Sequence, residues 1–420
     1  MKGSLKWIMC AMVIAGVVAA PLLVATPASA DKLSEAIEQG ISDGKIEKDA
    51  EPGFLGIPGA PGVNYIIGFL WAIWVGWIFS TVGAFGGIMA GVGHITIFGL
   101  GDYAKDFGKG YPMNKLLTDS IRVSNQWLVG LSGLISSTNY FRMGRLVAPL
   151  GMCLAIGGVG GSWLVPELTA GKISLKAYIG YFGIAVLALG IILFRETTKA
   201  GQAKRKKAKE AAASFEKAAK GGEDTKEGVR ILQGSWVLMF IALIVVVASA
   251  LWINLMGGNQ WVAYILVFIG WALTFFVGTI RFTFYGVEFD FKAFIPMLGG
   301  IFIAALASFL GVGGGFLYVP FLTSVTGLPM FLVAGTSALV VLVGMIVSIF
   351  SYMVGKGVVI QWGFIGAELI GIFIGSMIGP RTSKYIPDIW LKRLFVVLAF
   401  YVGIRYLTKG FLGYSILPPF

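Results

Sequence analysis

The sequence predicts an all-α membrane protein, a polytopic helical bundle of two inverted-topology repeats whose helices are broken at glycine-rich motifs. Three observations predict it. Apolar residues fill 57% of the 420 positions and charged residues 13%, with a mean hydropathy of +0.83; no soluble fold covers that much apolar surface with polar groups. Apolar runs near or above the ~20 residues that a helix needs to cross a bilayer follow one another along the chain. Small residues and prolines recur at matched spacings in the two halves.

The chain opens with Lys2 and Lys6 before an apolar run from Trp7 to about Ala25, then Pro27-Ala28-Ser29-Ala30 and Asp31. Residues 1–30 read as a signal peptide, or else as a first membrane helix, since the run is long for a signal. Residues 31–63 are a polar extracytoplasmic segment with room for one or two helical turns, ending in the Pro/Gly-rich EPGFLGIPGAPG.

Apolar stretches follow at 64–100, 116–138, 146–168, 173–194, 235–256, 260–280, 293–325, 330–354, 360–380 and 391–410. The first and seventh are too long for one pass and are interrupted by glycines. Residues 195–230 contain AKRKKAKE and further lysines, so the positive-inside bias places them in the cytoplasm. With Asp31 outside, an odd number of crossings must precede that loop, which requires residues 64–100 to cross twice. The same count puts Arg142, Arg145, Arg281, Lys292 and Arg381 inside. The expected location is a cell membrane, the inner membrane of a bacterium. Residues 199–220 read as a solvated Lys/Ala/Glu helix, with binding of anionic lipid headgroups as the functional alternative. The net charge of +12 is spent on topology, so no nucleic-acid partner is expected. The expected partners are the bilayer and a small anionic substrate. Cys10 and Cys153 sit in apolar runs and offer no disulfide framework.

The repeat rests on G-x-x-x-G-S-x-x-x-P, present as Gly157, Gly161, Ser162 and Pro166 and again as Gly371, Gly375, Ser376 and Pro380. Ser124-Asn125 with Tyr140 matches Thr336 with Tyr352, and Gly91-Val92-Gly93 matches Gly311-Val312-Gly313. The crossing count makes the two copies opposite in sense, the arrangement of many secondary transporters. The divisions are then a first repeat at 64–194, a basic loop at 195–234, a linker helix pair at 235–280 and a second repeat at 281–420.

The sharpest signal is ASFLGVGGGFLYVPFLTSV, followed by AGTSALVV. Gly311, Gly313, Gly314 and Gly315 let the backbone leave helical geometry in mid-membrane, and a helix restarting there offers free amide donors and a positive dipole end to an anion. Thr336 and Ser337 add hydroxyl donors one span later. Close helix approach is the alternative use of such glycines. In the first half Gly91 and Gly93 remain, but His94, the only histidine of the chain, stands where the second half has Gly314. His94 either carries a proton or faces the anion, or is a hydrogen-bonded structural residue.

The run GVGGGFLYVPFL with the following AGTS resembles the signature of the sulfite exporter TauE/SafE family, also called the 4-toluene sulfonate uptake permease family, over residues 64–410. The resemblance implies transport of sulfite, sulfonates or another small sulfur-containing anion, and carries over to Gly311, Gly313, Gly314, Gly315, Pro320, Gly335, Thr336 and Ser337.

Ionisable residues within spans complete the candidate set. Arg122, two residues before Ser124-Asn125, either pairs with Asp119 on one helix face or gives the anion a fixed positive charge. Glu368 either takes a proton during the cycle or has a partner on another helix. Substrate binding is thus expected at Gly91, Gly93, His94, Arg122, Ser124, Asn125, Gly311, Gly313, Gly314, Gly315, Thr336 and Ser337, and coupling at Glu368 and His94. One histidine, no HExxH and no paired aspartates give no basis for an enzyme, a metal or a cofactor. A channel is the runner-up to a transporter working by alternating access.

Overall fold

The structure is a computed structural model that describes residues 27–417 apart from Lys109, 170–174, 222–227 and 311–314. The expected signal segment thus lies mostly outside the described residues. Among the described residues five helices are long and apolar enough to cross a membrane: Tyr65–Val82, Val237–Met256, Met330–Gly355, Trp362–Ser383 and Asp388–Phe411. Shorter apolar helices include Gly86–Ile97, Ala148–Ser162, Gln260–Phe276 and Gly315–Val325.

Helix α1 (Pro27–Ser42) and the segment after it are more ordered than the one or two turns expected. Ala36, Ile46, Phe54 and Ile57 are buried with Phe107, Met113 and Leu117, so this segment packs into an apolar cluster shared with the membrane helices. Helix α2 (Tyr65–Val82) starts at Asn64, whose side chain accepts from the amides of Ile66 and Ile67. It stops at Gly83, whose φ of 74° is left-handed. Helix α3 (Gly86–Val92) runs into a π-helical turn at Gly93–Ile97, and α4 (Leu100–Asp106), α5 (Pro112–Arg142), α6 (Ala148–Thr169) and α7 (Leu175–Thr197) follow.

This corrects one expectation. The first long stretch does break, but at Gly83–Phe85, where Phe85 also has a positive φ of 68°, and not at Gly91 and Gly93, which are helical. Gly93 serves close approach instead, whereas an added Cβ on Gly91 would make only ordinary contact. A Cβ on Gly93 would meet Nε1 of Trp71 at 2.6 Å, and one on Gly91 would lie 3.5 Å from Nδ2 of Asn125.

The basic segment forms α8 (Lys199–Lys204) and α9 (Lys206–Gly221). Helix α9 is not solvated all round, as expected from its composition: Ala208, Ala211, Ala212 and Phe215 are buried. Beside it lies an element that an all-α reading did not foresee, a three-stranded antiparallel sheet of β1 (Arg230–Gln233), β2 (Thr279–Phe284) and β3 (Val287–Lys292) in the order β1-β2-β3. Strands β2 and β3 close through Tyr285 and Gly286, both at positive φ, the backbone of a tight hairpin turn. Ile280, Phe282, Phe284, Val287, Phe289 and Phe291 alternate inward, and Phe215 of α9 stacks on Phe284.

Helices α10 (Trp236–Met256) and α11 (Gln260–Phe276) are joined by Gly257–Asn259 and pack together. Then come α12 (Phe294–Leu310), α13 (Gly315–Pro320) with a π-helical turn at Phe321–Val325, α14 (Met330–Phe350), α15 (Trp362–Ser383) and α16 (Asp388–Phe411).

The strongest packing crosses between halves: α2 lies along α15, α12 along α6, α7 along α16 and α5 along α14. Glycines permit the first two. A Cβ on Gly371 or Gly375 of α15 would strike the carbonyls of Phe69 or Ile73 on α2, and one on Gly157 of α6 would strike that of Met297 on α12. Each matched glycine motif therefore seats the first helix of the opposite half.

Candidate functional site

Three polar side chains singled out in the sequence meet between the π turn after α3, the N-terminal half of α5 and the N-terminal part of α15. Nδ1 of His94 lies 2.6 Å from Oδ1 of Asn125, and Nε2 lies 2.9 Å from Oε2 of Glu368. His94 and Glu368 are each 1% exposed. The widened turn at Gly93–Ile97 brings the imidazole to this position, and such turns recur where helices carry functional groups. Phe364 closes one side, its ring centroid 5.7 Å from that of His94, and Phe98 packs edge-on against Phe364. Gly68 lets α2 approach, since a Cβ there would lie 3.3 Å from Cγ of Glu368.

The hydrogen-bond pattern has a chemical consequence. With an acceptor at each ring nitrogen, the site satisfies a cationic imidazole that donates to the Asn125 amide oxygen and to the Glu368 carboxylate. Turning the Asn125 amide over presents Nδ2 to Nδ1 and satisfies the neutral ring, with its hydrogen on Nε2. One arrangement of side chains therefore accommodates both protonation states of His94. Ser124, the neighbour of Asn125, is buried, and its hydroxyl has no partner among the described residues.

The other sequence-singled residues lie apart from this cluster. Nη1 of Arg122 is 3.2 Å from Oδ1 of Asp119 and donates to the hydroxyl of Tyr352 at 2.6 Å. The local pair therefore exists, and α14's π turn Ser351–Gly355 supplies a second partner. Thr336 and Ser337 are fully buried and committed: Thr336 donates to Leu332 O and accepts from the amide of Val147, while Ser337 donates to Gly83 O at 2.9 Å. The AGTS segment thus braces the first-half break. Gly315 is the first residue of α13; Gly311, Gly313 and Gly314 lie outside the described residues.

Sequence reasoning treated Arg145 as an orientation marker and, with Gly144, as the base that follows Tyr140 in the repeat, but it is 2% exposed. Its Nη1 donates to Pro380 O at 3.1 Å and its Nη2 to Ser383 Oγ at 3.2 Å. The guanidinium faces the rings of Tyr140, Phe215 and Phe331 at 4.8, 5.0 and 5.4 Å. The carbonyls ending α15 and three aromatic faces hold this buried charge. The repeated Tyr140 and the base after it carried a signal for this cluster, but nothing in the sequence placed Phe215 against it.

Residues 223–406 match the model of the family described as sulfite exporter TauE/SafE. This part of the chain is similar to the TauE/SafE family. It includes α10 to α15, and with them Glu368, and most of α16. A probable membrane transporter protein of Methanocaldococcus jannaschii is 33% identical over 117 residues, which cover 26% of this chain and 43% of that protein. The chain thus spans less than half the length of this relative. No solved structure matches the chain. The family match and the five apolar helices together make this a multi-pass membrane protein.

Proposed function

We propose that the protein is a secondary transporter of a small anion, a sulfur-containing oxyanion such as sulfite or a sulfonate, in which His94 and Glu368 form the protonable element. The observation that carries this reading is the buried His94–Glu368 pair, held at 2.9 Å between elements of the two halves. Ionisable residues buried in a membrane protein are costly, and sites of this kind mark ion and proton pathways. The relative named as a probable membrane transporter supports the transport class.

Alternating access is supported by the matched packing of α2 on α15 and α12 on α6, and by the paired π turns at 93–97 and 321–325. Two halves of opposite sense give outward- and inward-open states of similar energy. The anion binds with the first amides of α13, from Gly315 on, and the free hydroxyl of Ser124 as donors. A proton on the His94–Glu368 pair compensates the charge of the anion as it passes.

The test is uptake and counterflow in proteoliposomes with labelled sulfite, thiosulfate, sulfate and a sulfonate. A carrier shows saturable uptake and accelerated exchange against unlabelled anion inside. Flux that is linear in concentration and shows no counterflow assigns the protein to the channels instead, and no flux of any of the four ends the anion assignment.

A further inference from the structure

On the face where α9 and the sheet lie, an open cavity of about 730 Å³ is bordered by α7, α8, the start of α9 and the end of the π turn after α13. Its chemistry is unlike that of the His94 site. Four cations line it, Arg195, Arg205, Lys206 and Lys207, against two carboxylates, Glu196 and Asp290. Arg205 is spent: its Nη2 pairs with Oε1 of Glu196 at 2.7 Å and also donates to Ser324 O at 3.2 Å. Arg195, Lys206 and Lys207 are exposed.

Two features point to an occupant. Lys206 and Lys207 sit at the N-terminus of the 16-residue α9, where the helix dipole is positive and further cations raise the energy unless an anion is bound. Glu196 is 7% exposed, and its Oε2 is buried without a hydrogen-bond partner, so a carboxylate oxygen on the cavity wall awaits a donor.

We infer that this cavity binds a phosphate ester that bears free hydroxyl groups: the phosphate against Arg195, Lys206, Lys207 and the first amides of α9, and a hydroxyl donating to Oε2 of Glu196. Two sources share this chemistry, the headgroup of phosphatidylglycerol and a soluble polyol phosphate. The exposed Ile192, on the cavity rim one turn from Arg195, offers apolar surface beside the phosphate site. An occupant would join α8–α9 to Ser324, whose hydroxyl donates to Glu196 at 2.7 Å, and so would fix the π turn that follows α13. This inference does not rest on the identity of the transported anion.

The test is thermal unfolding of the full chain in a neutral detergent, titrated with short-chain phosphatidylglycerol, short-chain phosphatidylcholine or glycerol 3-phosphate. The first or the third raises Tm saturably, and phosphatidylcholine does not. A response to glycerol 3-phosphate identifies a soluble ligand, and a response to phosphatidylglycerol alone identifies the lipid. The triple variant Arg195→Gln/Lys206→Gln/Lys207→Gln weakens the apparent affinity by at least about tenfold, the scale of one or more charge-assisted contacts. Lys209→Gln/Lys217→Gln, which removes two exposed charges of α9 outside the cavity, leaves it unchanged. Equal responses from the triple variant and the wild type, equal weakening by the control pair, or no response to either phosphate overturns the inference.

Discussion

The imidazole Nε2 of His94 and the carboxylate Oε2 of Glu368 are 2.9 Å apart, although 274 residues separate them in the chain. The pair joins the short helix of the first half to the third long helix of the second, with Asn125 on the far side of the ring. Its energetics follow from burial: each group is 1% exposed, so each depends on the other for a hydrogen bond.

Removing one partner therefore costs more than removing both. Glu368→Ala leaves a buried imidazole without its acceptor, with an expected loss of about 3–5 kcal/mol. The double variant His94→Leu/Glu368→Leu is expected to lose less than either truncation alone, because no uncompensated polar group remains. Thermal unfolding in detergent checks this; additive losses would show that the two side chains act independently.

The glycine seams make a second prediction. Gly375→Val forces α15 off the Ile73 carbonyl, and Gly157→Val forces α6 off that of Met297. Each is expected to cost at least about 1–3 kcal/mol, the scale of overpacking a closed contact. Gly344→Ala and Gly366→Ala, where an added Cβ meets nothing within 4 Å, are expected to be neutral or to stabilise by roughly 0.5–1 kcal/mol through helix propensity. Yield and Tm of the four variants separate the classes; equal behaviour would remove the close-approach argument for the matched motifs.

Arg145 supplies a third. Arg145→Lys keeps the charge but cannot reach Pro380 O and Ser383 together or lie flat against three rings. The expected loss is about 1–3 kcal/mol, with faster protease cleavage between α9 and β1, because Phe215 loses a contact that holds α9 in place. Unchanged cleavage would mean that α9 is held by the sheet alone.

How much of this was legible beforehand differs by element. Apolar run length gave the spans, because crossing a bilayer requires about 20 apolar residues whatever the packing. Among the site residues, His94 and Glu368 stood out as costly in lipid and Asn125 through the repeat, yet their meeting was not legible: it depends on how α15 crosses α5, which no spacing encodes. Gly91 and Gly93 misled, because a glycine within a helix and one that permits a break look alike in sequence; the break went to Gly83, held by Ser337 of the other half. The β2–β3 hairpin was missed although RFTFYGVEFDFK alternates with period two around a Tyr-Gly turn, since the segment between the runs ending at 280 and starting at 293 was read only for Arg281 and Lys292 as orientation charges. The seating of Phe215 in the Arg145 cluster is a tertiary contact with no local signal.

The central claim is that protonation of the His94–Glu368 pair drives anion movement, and Glu368→Gln tests it most directly. Proteoliposomes carrying the variant are loaded with unlabelled anion, and labelled anion is followed in two modes, exchange at equal pH and net accumulation under an imposed pH gradient. Glutamine keeps a hydrogen-bonding group of the same size opposite Nε2 of His94 but cannot release a proton. The account predicts exchange within about threefold of wild type and loss of accumulation above the equilibrium level. Accumulation equal to that of wild type, under the same gradient and with the same exchange rate, would contradict it.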